Sequence, residues 1–235
     1  KTGETNKVVI LVATSGDTGK AALEGFADVP GTQIIVFYPS EGVSDIQKQQ
    51  MITQAGKNVK VFGIEGNFDD AQRGVKEIFG NTALSDELAK KGYTFSSANS
   101  INWGRLVPQI VYYFSAYVDA VKAGKIAAGD PINFVVPTGN FGDILAGYYA
   151  KLMGLPIDRL LCASNSNNVL TDFINTGVYD RRREFYKTVS PSMDILVSSN
   201  LERLLYSVTE HDAARVANYM KRLNTEGHYE IDSDD

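Results

Sequence analysis

The sequence predicts an α/β protein built from doubly wound parallel sheets in two lobes. Short β-branched runs alternate with helical periods through most of the 235 residues. Two of these runs end in glycine-containing turns that lead into helices. Repeats of strand, helix and strand form parallel sheets through right-handed crossovers. We place one lobe at residues 1–96 and part of a second at residues 97–235, divided just before a long helical stretch.

Strands are predicted where β-branched and apolar residues run together between turn residues. They cover residues 8–13, 33–38, 59–64, 132–136 and 159–163. Helices are predicted where apolar residues recur at helical spacing. They cover residues 18–27, 45–54, 68–79, 85–91, 101–123, 143–153 and 169–175. After about Pro191 the pattern becomes helical only, with clear segments at 200–207 and 212–223.

Capping residues mark several helix ends. Ser44 and Asn67 stand where a side-chain oxygen can cap an N-terminus, and Gly124 and Gly154 stand where the chain leaves a helix. Pro108 predicts a kink in the longest helix unless it falls in the first turn of a restarted helix.

Composition excludes several classes of function. The net charge is −5, and no basic stripe is longer than the triplet at 181–183, which argues against nucleic-acid binding. No apolar run approaches the roughly 20 residues that cross a bilayer. Cys162 lies in an apolar run and is predicted to be a buried, inert thiol. His211 and His228 are too few and too far apart for a metal site. We therefore expect a cytoplasmic protein with neither disulfides nor bound metal.

The first glycine turn follows the strand at 8–13. A phosphate-binding P-loop would need glycine where Thr14 stands and a hydroxyl residue where Ala21 stands, so that interpretation fails. The turn still offers hydroxyls and backbone donors at a helix N-terminus, which can hold a carboxylate. The residues concerned are Ser15, Gly16, Asp17 and Thr18. The alternative is that these side chains only cap the helix.

The second glycine turn, after the strand at 132–136, is more specific. Its successive N–H groups have no Cβ in front of them at two glycines, and a carboxylate begins the helix. These features predict an anion-binding turn formed by Gly139, Asn140, Phe141, Gly142 and Asp143.

A third cluster combines hydroxyls, amides and one guanidinium, which suit the lining of a ligand cleft. Its members are Ser97, Asn99, Ser100, Asn102 and Arg105. The alternative is that Asn99 and Ser100 are helix caps and Arg105 is exposed. A fourth cluster, at 164–168, is interpreted as a helix cap formed by Asn167 or Asn168.

Taken together, the motifs at 13–19, 97–102 and 137–143 strongly resemble those of threonine synthase, in the same order and at similar spacing. The resemblance extends from about Val8 to Glu210. It implies the tryptophan-synthase-β-like fold of pyridoxal-phosphate (PLP) enzymes, fold type II. It also implies conversion of O-phospho-L-homoserine and water to L-threonine and phosphate.

The resemblance assigns roles to the three clusters. The turn at 139–143 would hold the cofactor phosphate, and the turn at 15–18 would meet the substrate, most plausibly at its carboxylate. The five residues of the third cluster would line the cleft near cofactor and substrate. Ligands of such sheets lie beyond the carboxyl ends of the strands, where both turns are predicted.

The chain departs from the family in one respect. These enzymes hold PLP on a lysine that precedes the first glycine turn, and neither Lys1 nor Lys7 has that context. We therefore expect this chain to be an inactive internal piece of a longer polypeptide that supplies the lysine. Alternatives are another fold-type II enzyme, such as a dehydratase or cysteine synthase, or a non-catalytic ligand-binding relative. Asp17 disfavours the first, because those enzymes usually carry asparagine there.

Overall fold

The structure, a computed structural model, describes residues 6–232 and divides the chain into two compact units between Asn102 and Trp103. The sequence suggested a boundary six residues earlier, after residue 96. The segment at 97–102 stays with the first unit because the side chain of Asn99 bonds to the backbone of Ala13.

The first unit is a four-stranded parallel sheet with helices. Its strands are β1 (Lys7–Ala13), β2 (Thr32–Pro39), β3 (Val59–Ile64) and β4 (Tyr93–Ser97). Its helices are α1 (Asp17–Phe26), α2 (Asp45–Ile52), α3 (Phe68–Gly80) and α4 (Thr82–Lys90). The strand order is β3-β2-β1-β4, and each neighbouring pair is parallel. Apolar side chains of β1, β2, α1 and α2 form its core.

Both predicted caps of this unit are confirmed. The Ser44 hydroxyl accepts from the backbone of Gln47, and the Gln47 side chain returns to the Ser44 backbone. Asn67 and Asp70 form the same reciprocal pair at the start of α3. Each pair satisfies backbone donors that the first helical turn leaves unpaired.

Within residues 103–232, the second unit contains five α-helices, four strands and a short 3-10 helix at Pro191–Met193. Its helices are α5 (Trp103–Lys122), α6 (Gly142–Leu152), α7 (Val169–Thr176), α8 (Leu201–Val208) and α9 (Ala213–Thr225). Its strands are β5 (Ile132–Pro137), β6 (Ile157–Ala163), β7 (Val178–Asp180) and β8 (His228–Glu230). The β5–β6 pair is parallel, whereas β7 and β8 are antiparallel.

The prediction of helix alone after Pro191 is wrong at β8. This short strand carries Tyr229, which is fully buried and stacks on Tyr179 of β7 and Tyr219 of α9. The strand β8 is only three residues long, too short to show alternating apolar and polar residues in the sequence. Its position is instead set by the packing of these tyrosine rings. The long helix α5 is continuous through Pro108 and does not restart there. Across residues 6–232, every helix is too short or too polar to span a bilayer.

Strand direction positions the predicted motifs. The first glycine turn follows β1 and the segment at 98–102 follows β4, its parallel neighbour, so both lie at one edge of the sheet. The second glycine turn follows β5, and the loop at 164–168 follows the neighbouring strand β6. Each unit therefore gathers polar residues at the carboxyl edge of its parallel strands, where such sheets bind ligands.

Candidate functional site

The first glycine turn is organised by the side chain of Thr14. This residue is 2% exposed, and its hydroxyl oxygen accepts from the backbone N–H groups of Gly16 and Gly19, each at 2.9 Å. Gly16 has φ +145°, a conformation that side chains with a Cβ rarely adopt. A Cβ at Gly19 would lie 2.5 Å from the Thr14 methyl carbon, so that glycine lets α1 approach β1 closely.

The helix-cap alternative for the first turn is not what the structure shows. The N-cap of α1 is Gly16, which has no side chain, and the first-turn N–H of Gly19 is bonded by Thr14 and not by Ser15 or Thr18. Asp17 instead accepts a hydrogen bond of 2.8 Å from the side chain of Gln47 in α2. The backbone N–H groups of Ser15 and Thr18 have no acceptor within residues 6–232, and both residues are half-buried. This leaves two amide donors and two hydroxyls at the helix start, which suits an anion.

The segment after β4 is hydrogen-bonded to the end of β1, beside the first glycine turn. Asn99 uses both ends of its amide on Ala13: Nδ2 donates to the Ala13 carbonyl at 2.8 Å, and Oδ1 accepts from its N–H at 3.1 Å. Asn102 donates to the Ser97 carbonyl at 2.7 Å. Ser100 also has polar interactions of its own. The hydrogen bonds of Asn99 and Asn102 hold this loop in place at the carboxyl edge of the sheet.

Arg105, the remaining member of the third predicted cluster, lies in the second unit. It is in the first turn of α5 and is half-buried. No carboxylate lies within ion-pair distance of it among the described residues. Its charge is therefore available to an anionic ligand.

The second glycine turn presents open backbone donors. The N–H groups of residues 139–143 have no acceptor within the described part of the chain. Phe141, the N-cap of α6, has φ +60° and ψ 10°, in the left-handed region. The side chain of Phe141 makes no capping bond to α6. Successive unpaired amides at a helix N-terminus, together with the helix dipole, form a site for an anion such as phosphate.

Two residues of the second unit hold this turn from behind, by its carbonyl groups. The Asn140 carbonyl accepts from both the backbone N–H and the side-chain Nδ2 of Asn200, at 3.1 and 2.9 Å. The Gly139 carbonyl accepts from the Ser198 hydroxyl at 2.9 Å. Asn200 is fully buried and Ser198 nearly so. These bonds fix the carbonyls and so fix the direction of the amides.

Close packing explains one glycine of this turn. A Cβ on Gly139 would lie 2.7 Å from the carbonyl oxygen of Ser192. Within α6, a Cβ on Gly147 would lie 2.6 Å from the Tyr113 ring of α5.

The Tyr113 hydroxyl donates to the backbone carbonyl of Asp143 at 2.8 Å and to its carboxylate at 3.2 Å. Burial raises the pKa of the Asp143 carboxyl, and the Tyr113 hydrogen bond partly opposes that rise.

The loop at 164–168 does not cap α7 as predicted. Asn168 is the N-cap by position but makes no capping bond. Asn167 is 4% exposed and binds both backbone groups of Tyr186, at 2.7 and 2.9 Å. Asn165 and Asn167 also donate to Asp194, at 2.7 and 3.0 Å. These amides anchor the segment that leads to Ser198 and Asn200.

Sequence reasoning missed the supporting residues of both turns. Thr14 entered the argument only as a mismatch to the P-loop pattern, and Asn200 only as the start of a helix. The available signal for Thr14 was a hydroxyl residue between an apolar strand and a glycine turn. Asn200 lies 60 residues from its partner, so no local pattern links the two.

The thiol of Cys162 is half-buried, next to Thr138. Burial raises the pKa of this thiol, and a hydrogen bond with Thr138 partly opposes the rise. The predicted full burial of Cys162 is therefore wrong, and the raised pKa means a smaller thiolate fraction at neutral pH than a free cysteine has.

No family model matches this chain, but individual proteins are similar to it over nearly its full length. Human threonine synthase-like 1 is 48% identical over 231 residues, which cover 95% of this chain and 31% of the human protein. Threonine synthase of Saccharomyces cerevisiae is 40% identical over 239 residues, covering 98% of this chain and 45% of the yeast protein.

Solved structures agree. PLP-bound threonine synthase from Brucella melitensis matches with a TM-score of 0.82 and 44% identity, covering 97% of this chain and 47% of that one. Yeast threonine synthase matches with a TM-score of 0.80 and 38% identity, covering 100% of this chain and 46% of that one. The chain thus spans less than half the length of each of these relatives. Its three motifs, its parallel-sheet fold and these identities together show that the chain belongs to the threonine synthase family.

Proposed function

We propose that this chain is part of a threonine synthase that converts O-phospho-L-homoserine and water to L-threonine and phosphate with PLP as cofactor. The observation that carries the proposal is the set of unpaired amides at residues 139–143, fixed from behind by Asn200 and Ser198. The relative from Brucella melitensis with the same fold is a PLP-bound threonine synthase.

The residues present fit the cofactor's phosphate group. Five successive N–H groups without acceptors in the described chain lie at the start of an 11-residue helix, and the packing around Gly139 leaves no room for a side chain. Gly139, Asn140, Phe141, Gly142 and Asp143 would bind the phosphate through their backbones. PLP, when bound, supplies an electron sink for negative charge that develops on the substrate.

The first turn would receive the substrate. The free amides of Ser15 and Thr18, with their hydroxyls, suit a carboxylate. The Gln47 side chain packs against Gly16 where a Cβ would lie, and its amide holds Asp17 by a hydrogen bond. Ser97, Asn99, Ser100 and Asn102 would form the neighbouring wall. Because the Asn99 amide is bonded to Ala13, we assign it the role of positioning that wall. Arg105 would offer its charge to a substrate anion.

Product formation tests the reaction. The intact protein that contains this chain is expected to release phosphate from O-phosphohomoserine and to form threonine in equal amounts. Release of phosphate without threonine, or no turnover by protein that has bound PLP, would contradict the proposed reaction.

The cofactor turn is tested separately. Gly142→Val places a branched side chain at the buried start of α6 and is expected to weaken PLP binding by at least about tenfold. Gly74→Val in α3 is the matched control, since nothing lies within 4 Å of a Cβ there. Equal PLP affinity for the two variants would remove the turn from the cofactor site.

For the 235-residue chain alone, we expect no PLP adduct on a single lysine after borohydride reduction. Lys7 lies near the Tyr93 ring, Lys20 is paired with Glu24, and Lys1 lies outside the described residues. A unique adduct at Lys20 would show that the chain contains its own cofactor lysine.

A second candidate is a PLP-binding relative without this reaction. The observation that favours it is the 48% identity to a human protein named only threonine synthase-like. It predicts tight PLP binding by the intact protein with no phosphate release, so the turnover assay separates the two.

A further inference from the structure

A large open pocket in the second unit lies outside the residues assigned above. Its volume is about 820 Å³, within the range of small-molecule sites. Residues of α5, α6, α8 and α9 line it.

The walls of this pocket combine aromatic faces with cations. Trp103 packs edge-on against Tyr149, with ring centres 5.4 Å apart. The Arg203 guanidinium lies 5.9 Å from the centre of the Trp103 ring. Tyr206 and Lys221 also line the pocket, and both are exposed. Aromatic faces next to cationic heads suit a planar ring that carries a negative charge.

Arg203 connects this pocket to the second glycine turn. Its Nη1 donates to Oδ1 of Asn200 at 2.5 Å. The same Asn200 holds the Asn140 carbonyl through its Nδ2 and its backbone N–H. The Arg203 guanidinium therefore lies over the Trp103 ring in the pocket and is also bonded to Asn200, which holds the second glycine turn.

We propose that this pocket is a second ligand site for a planar organic anion, and that its occupancy weakens anion binding at residues 139–143. A ligand carboxylate that pairs with Arg203 draws the guanidinium from Asn200. The Asn200 amide then holds the Asn140 carbonyl less firmly. Glu202 also lines the pocket, which favours a ligand with a single anionic group over one with several. This coupling rests on the proposed function of the turn, whereas the pocket itself does not.

The binding test uses naphthoate, titrated calorimetrically into the intact protein without PLP. Naphthol lacks the charge and acetate lacks the ring, and both are expected to bind much more weakly. Lys221→Gln and Tyr206→Leu are each expected to weaken naphthoate binding by about fivefold. Lys122→Gln, at the far end of the 20-residue helix α5, is the matched control and is expected to bind like the wild type.

Gly142→Val is expected to keep naphthoate binding, because the pocket does not include the turn. Loss of binding in this variant, or unchanged binding in Lys221→Gln and Tyr206→Leu, would overturn the second site. For the coupling, saturating naphthoate is expected to weaken PLP binding by about fivefold. Bound naphthoate with unchanged PLP affinity would overturn the coupling, and this result is independent of whether threonine is formed.

Discussion

The two glycine turns have similar sequences but opposite hydrogen-bonding arrangements. The first turn closes on itself, because the Thr14 hydroxyl takes two of its own amides. The second leaves the amides of residues 139–143 open and is held by its carbonyls from a segment about sixty residues away. A self-closed turn presents few donors but carries its own support. An open turn presents many, but its shape depends on distant residues.

This difference fits the two proposed ligands. A substrate must bind and leave in each cycle, and the first turn offers it two amides and two hydroxyls. A resident cofactor phosphate, as proposed here, would be held by the larger set of donors in the second turn. Substitutions that remove the hydrogen bonds supporting each turn test whether the two turns are stabilised in these two different ways.

The largest expected effect is at the self-closed turn. Thr14→Val leaves the buried amides of Gly16 and Gly19 without an acceptor and is expected to lower the free energy of unfolding by about 3 kcal/mol. Urea unfolding measures this loss. Thr14→Ser keeps the hydroxyl and is expected to recover most of it.

The matched change in the open turn is Thr138→Val. There the hydroxyl donates to the Val136 carbonyl at 2.7 Å and also bonds with the Cys162 thiol, but it accepts from no amide of the turn among the described residues, so we expect a loss of about 1 kcal/mol. Equal losses for Thr14→Val and Thr138→Val would show that the two turns do not differ in their support.

Asn200→Ala removes a side-chain hydrogen bond that supports the second turn through the Asn140 carbonyl. It removes one donor from the Asn140 carbonyl at a fully buried position, and we expect a loss of about 2 kcal/mol with weaker PLP binding. Asn218→Ala on the exposed face of α9 is the control, with an expected change below about 0.5 kcal/mol. If both variants bound PLP equally well, the distant support would not matter to the ligand.

Gly139→Ala tests the close packing of the open turn. The added methyl would meet the Ser192 carbonyl oxygen at 2.7 Å, and we expect a loss of about 1.5 kcal/mol in thermal or urea unfolding. Gly74→Ala, in open space within α3, is expected to stabilise by about 0.5 kcal/mol. A neutral or stabilising Gly139→Ala would show that the backbone there moves freely.

The smallest effect concerns Asp143, whose pKa is raised above its ordinary value of 3.8 by burial. The ionised carboxylate therefore costs stability above the folded-state pKa. That cost is lost as the pH falls through this pKa, and it is absent below the unfolded value. Asp143→Asn is expected to be more stable at neutral pH by less than about 1 kcal/mol. Unfolding curves from neutral to acidic pH should converge with those of the wild type, and a constant offset would contradict this origin.

Local patterns predicted most of the fold because most of its elements carry local signals. The strand β3 has the predicted bounds, and Ser44 and Asn67 cap the helices that they were expected to cap. The strand β8 carries no such signal: it forms because Tyr229 completes a stack with Tyr179 and Tyr219. Three residues are too few to show alternation.

For the candidate site, the sequence predicted the turn residues that we propose as ligand contacts, but not the residues that hold those turns in place. Glycines and hydroxyls in turns form a recognisable pattern, whereas Asn200 and Asp194 look like ordinary loop residues. Their importance depends on partners 27 to 60 residues away. Only the folded chain brings those partners together.

The bonds from Ser198 and Asn200 to the second turn also set an order of events during protein synthesis. A chain grows from its N-terminus, so the turn at 139–143 leaves the ribosome well before the residues that hold its carbonyls. Until those residues emerge, the bonds that hold its carbonyls cannot form. If the turn binds a phosphate as proposed, we expect that binding to reach full strength only after residues 198–200 have been synthesised.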